Sequence, residues 1–84
     1  MGEFSPFYIM KHYFYVGIYD LVDPNDESIR IASKFSGVIE VEKTALPGPV
    51  YSAIIEEWYT ELSKVFNDRD YKIKIVLEKL ELIL

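Results

Sequence analysis

"HYFYVGIYDL" (His12–Leu21) carries four aromatic residues in ten and no charge between His12 and Asp20. Val, Ile, Tyr and Phe are the side chains that pleated, half-buried surfaces favour, so the stretch predicts a β-strand over about residues 11–22. Alternate side chains of a strand point to opposite faces. Tyr13, Tyr15 and Tyr19 therefore share one side, and Phe14, Val16 and Ile18 the other. Both sides are apolar or aromatic, and the fold follows from asking what covers each.

Downstream, "DPNDES" (Asp23–Ser28) reads as a turn, because Pro and Asn favour turn geometry and Asp and Ser side chains bond the local backbone. A second strand is expected from about Ile29 to Thr44. Ile39 and Val41 alternate there with Glu40 and Glu42, and Gly37 marks an expected bulge or bend. "LPGPVYSAIIEEWYTELSKVF" (Leu46–Phe66) is the strongest pattern in the chain. Tyr51, Ile54, Ile55, Trp58, Leu62, Val65 and Phe66 recur at helical spacing, Gly48 is the expected N-cap, and Pro49 suits the first turn. "NDRD" (Asn67–Asp70) closes the helix. The tail "YKIKIVLEKLELIL" fits two patterns, since Tyr71, Ile73, Ile75 and Leu77 alternate as in a strand while Ile73, Val76, Leu77, Leu80, Ile83 and Leu84 fit a helical stripe. The β-branched cluster and the short link from the helix favour a strand to about Leu80.

The expected fold is α+β: a ββαβ domain with a three-stranded sheet in the order 2-1-3 and one amphipathic helix packed on one face. A right-handed crossover through the helix returns the third strand beside the first. The least charged strand is central, and the strands bearing Lys and Glu lie at the edges, where charge deters wrong pairing. Phe14, Val16, Ile18, Ile39, Val41, Ile73 and Ile75 are the expected core beneath the helix. Tyr13, Tyr15 and Tyr19, flanked by Lys34, Glu40, Glu42, Lys72 and Lys74, are then left on the uncovered face. An apolar patch with hydroxyl tips and a charged rim is the composition of a partner surface. Tyr13, Tyr15, Tyr19, Lys72 and Lys74 are accordingly the expected interface, for a second copy in a homodimer or for another protein. A solvated tyrosine face without function is the plain alternative.

Eighty-four residues make one small domain, with 50% hydrophobic residues, seven tyrosines, five phenylalanines and one tryptophan. A chain of this size buries only about 60–65% of the surface its unfolded form exposes. There is no cysteine, so disulfides and thiolate sites cannot supplement the core, and association with another chain is the device that remains. The formal charge of −5 repels phosphate backbones on average. The sequence contains no apolar run of membrane-spanning length and no basic n-region, which points to a cytoplasmic protein. "MGEFSP" places Pro6 where a myristoylation signal needs Ser or Thr. Met10 followed by "KHYFYV" reads as a natural start, so residues 1–9 are taken as an expression-derived leader or alternative N-terminus, and 10–84 as the domain.

No catalytic, metal-binding or cofactor-binding residue is expected. The single histidine, His12, has no nucleophile motif to serve, and zinc sites need several Cys or His ligands. Asp20, Asp23, Asp26 and Glu27 cluster, but Ser28 and Lys34 stand where a calcium-binding loop needs Gly and Glu. Glu40 and Glu42 imply no cleft that would make them a carboxylate pair, and no phosphate-cradling glycine motif is present. Two further binding readings arise. The tyrosines with Lys34, Lys72 and Lys74 match the stacking-plus-cation recipe of a nucleic-acid platform. Glu56, Glu57 and Glu61 on the outer helix face, with Asp68 and Asp70 beyond, could act as an acidic DNA-mimic strip.

From Met10 onward, the opening "MKHYFYV", the glycine-containing "FSGVIEVEK", the amphipathic helix and the closing "IKIVLEKLELI" resemble small bacteriophage- and prophage-encoded proteins of unassigned role. The resemblance covers most of the chain and implies a bacterial cytoplasm and an accessory protein that binds or blocks a host protein. It carries no functional residues over to this sequence.

Overall fold

The computed structural model describes residues 10–83. The expected leader lies outside them. Within the described residues, three strands and one helix follow in the order β1 (Met10–Asp23), β2 (Asp26–Glu42), α1 (Pro47–Val65) and β3 (Lys72–Leu82). β1 pairs antiparallel with both neighbours, giving one sheet in the order β2-β1-β3. This is the expected α+β architecture.

Several element boundaries differ from the sequence reading. β1 and β2 are joined by a two-residue loop at Pro24–Asn25, so β2 begins at Asp26 rather than Ile29. Asp23 holds the corner: its carboxylate accepts a hydrogen bond from the Asn25 amide at 2.8 Å and one from the Arg69 guanidinium at 3.1 Å. The loop after the helix is thereby fastened to the hairpin tip. Asp26 accepts from the Ser28 amide and hydroxyl at 3.1 and 2.6 Å, the local side-chain bonding that turn residues provide. The helix starts at Pro47, with Leu46 as a cap that makes no side-chain bond, and Gly48 lies inside the first turn. Pro47 fits there because the first helical N–H has no partner to lose.

The faces of the sheet are the reverse of those expected. Tyr13 and Tyr15 are each 7% exposed and belong to the core with Phe35, Val50 and Ile54. The helix therefore covers the tyrosine side, and Phe14, Val16 and Ile18 lie on the side that no other described element covers. Two departures from regular pairing bring this about. Between Val22 and Asp23 the β1–β2 register shifts by three residues, from Asp23 opposite Asp26 to Val22 opposite Arg30. An odd shift exchanges which face of β2 each face of β1 shares. Tyr13 thus stands opposite Ile39, and Gly17 opposite Phe35. On β3, Glu78 is an extra residue between the Val16–Lys79 and Gly17–Leu77 pairs. The apolar sequence Ile73, Ile75, Leu77, Leu80 and Leu82 changes phase at this bulge, so all five share the face of Tyr13 to Leu21. The apparent helical stripe in the tail is a bulged strand.

Within the core, Trp58 donates its indole N–H to the Tyr15 hydroxyl at 3.0 Å. Phe35 lies 4.5 Å from the Trp58 ring and 6.0 Å from Tyr15 between centroids. Val50, Ile54 and Leu62 are the buried helix positions, each contributing about 1.5–3 kcal/mol of apolar burial. Tyr51 and Val65, expected in the stripe, are exposed. Gly37 makes no bulge; it pairs regularly with Tyr15.

Candidate interaction surface

In an antiparallel sheet, residues directly opposite share a face, so the uncovered side can be mapped from the register. Its centre line is His12, Phe14, Val16, Ile18, Asp20 and Val22 of β1. Beside these run Glu40, Val38, Ser36, Lys34, Ala32 and Arg30 of β2. On the other flank are Glu81, Lys79, Val76, Lys74 and Lys72 of β3.

The middle of this side is apolar. Val38, Ile18 and Val76 are 56%, 38% and 37% exposed, while Phe14, Val16 and Val22 are half-buried. Most of the charges sort by end, Lys79 and Asp20 being exceptions. Glu40, Glu42 and Glu81 lie at the end where β1 begins, and Arg30, Lys34, Lys72 and Lys74 lie toward the hairpin tip. His12 meets Glu40 across the strands at 2.9 Å, and Lys79 meets Glu81 at 2.9 Å with its ammonium 5.9 Å from the Phe14 ring centre. Asp20 binds the Arg30 guanidinium through both oxygens, one at 2.9 Å. The hydrogen bonds from Arg30, with its positive charge, hold the Asp20 carboxyl below its ordinary range, and Asp20 raises Arg30 in turn. Shallow depressions lie on both sides of Asp20. One is bordered by Ile18, Arg30, Ala32 and Lys34, the other by Val22, Lys72 and Lys74.

Of the interface residues expected from sequence, Lys72 and Lys74 are exposed on this side. Tyr13 and Tyr15 are buried beneath the helix, and Tyr19 is partly buried against the same core. The tyrosines therefore supply neither the expected interface nor a stacking platform for bases. Glu56, Glu57 and Glu61 are exposed on the outside of the helix, where Glu61 approaches Lys64 to 3.8 Å. Phe14, Val16 and Ile18, expected in the core, and Val38, which the sequence does not single out, are on this surface instead. Asp20 shares their parity on β1, but Lys11 and Asp23 share that of the tyrosines, so charge on β1 does not choose the face.

Among the described residues, no group of three His, Asp or Glu side chains is placed to hold a metal ion, and no helix is long and apolar enough to cross a membrane. Comparison with protein-family models, with curated proteins and with solved structures finds no match.

Proposed function

We propose that the chain is a non-enzymatic protein-interaction module whose working surface is the uncovered side of the sheet. The observation that carries this reading is the contiguous apolar strip of Phe14, Val16, Ile18, Val38 and Val76, framed by charges. An exposed apolar patch with a polar rim is the pattern of a surface that binds protein. The resemblance to phage and prophage proteins supports a bacterial cytoplasm as its setting and an accessory role there.

A photo-crosslinking side chain placed at Val38, with Tyr59 on the outer helix face as the control position, tests the reading in purified protein and in bacterial lysate. Protein adducts from position 38, absent from position 59 and abolished by Ile18→Glu, are the expected result. Adducts to nucleic acid alone, or none above the control, would overturn it.

A further inference from the structure

We infer that the occupant of the uncovered face is a second copy of this chain, stacked face to face with its strands reversed. This rests on the reading of that face as a protein-binding surface and adds what binds there and in which orientation.

The argument is one of self-complementarity. A two-fold axis lying in the plane between two stacked sheets can run along the strands or across them. Along the strands, each end meets the same end of its partner, so that Arg30 of one copy comes over the Lys72 position of the other. Across the strands, the ends exchange. The centre of the face, between Val16 and Ile18, then lies on the axis, and Val16 of one copy covers Ile18 of the other. Working outward by the observed register, Glu81 comes over Lys74, Glu40 over Arg30, and Val38 over Ala32. Two of the three acidic positions at that end, Glu40 and Glu81, thus meet basic ones, while Glu42 comes over Ser28, and each such contact occurs twice. Phe14 is brought over Asp20, where the depression bordered by Ile18, Ala32 and Lys34 can accept its ring.

Stacked sheets are rotated by about 30°. At Glu81, roughly 10 Å from the centre by strand rise, that rotation displaces the partner by about 5 Å, which a lysine stem can span. The face measures roughly 35 by 15 Å from strand rise and strand spacing, hence about 1,000 Å² buried over both copies. That lies at the low end for specific interfaces, so a dimer that dissociates on dilution is expected.

The test is sedimentation equilibrium over a wide concentration range on the wild type, Glu81→Lys, Lys74→Glu and an equimolar mixture of these two variants. Each variant alone opposes like charges at two places in the dimer, whereas the mixture restores opposite charges at both. A wild-type dimer, at least tenfold weaker association for each variant alone, and recovery to within a few-fold of wild type in the mixture are the expected results. A dimer indifferent to both substitutions would overturn the stacked, reversed arrangement. A wild-type monomer at several hundred micromolar would overturn the second copy as occupant. If position 38 still crosslinked to other proteins in that case, the interaction reading would stand without this inference; if it crosslinked to nothing, both would fall.

Discussion

Gly17 and Gly37 decide how the aromatic core closes. They face aromatic residues of the neighbouring strand, Phe35 and Tyr15, whose rings lie across the space a side chain would fill. A Cβ at Gly17 would fall 2.4 Å from the Phe35 ring and 2.8 Å from the Val76 carbonyl oxygen. The ring is packed against Trp58 and the carbonyl belongs to β3, so neither can move freely. Gly17→Ala should destabilise the fold by about 1–3 kcal/mol through overpacking, measured as a lower denaturation midpoint with an unchanged denaturant slope. An unchanged midpoint would show that the Phe35 ring does not lie over Gly17. The sequence offers Gly37 only as a candidate bend and gives Gly17 no role. Their use as ring seats depends on register, which no local pattern displays.

Among the elements, the order, the antiparallel hairpin and the placement of β3 beside β1 were legible because charge, turn chemistry and helical period each act locally. The choice of face was not. It turns on the three-residue shift beside the hairpin corner and on the single extra residue at Glu78, and either parity leaves β1 apolar on both sides. Once Phe35, Ile39, Ile73 and Ile75 are phased with the tyrosines, the helix must follow them.

The hairpin also sets an acid response. Asp20, bonded to Arg30, and Asp26, bonded to Ser28, both have folded-state pKa values lowered from 3.8. Their contribution is thus fully present above the unfolded value and is lost as the pH falls through the folded one. Denaturation midpoints should hold steady from pH 7 to about 5 on this account and fall below about 4. Asp20→Asn with Asp26→Asn should shallow that fall; an unaltered slope would exclude both groups from it.

At the scale of the whole molecule, β1 and β2 run 14 and 17 residues, roughly 45 and 55 Å at strand rise. The helix runs 19 residues, about 28 Å. One helix can shelter one side of such a sheet, and here that side is the tyrosine one. Among the described residues the other side keeps an apolar centre between a mainly acidic and a mainly basic end, the feature on which the proposed association rests.

The chain has no cysteine, so a single Val38→Cys substitution reports on that side directly through its rate of alkylation under reducing conditions. The account predicts reaction near the rate of a free thiol in dilute protein, slowing severalfold as the concentration of the same chain is raised. A rate that is slow at every concentration would mean the single copy already covers this side. A rate that stays fast at every concentration would mean that no second copy comes to rest there.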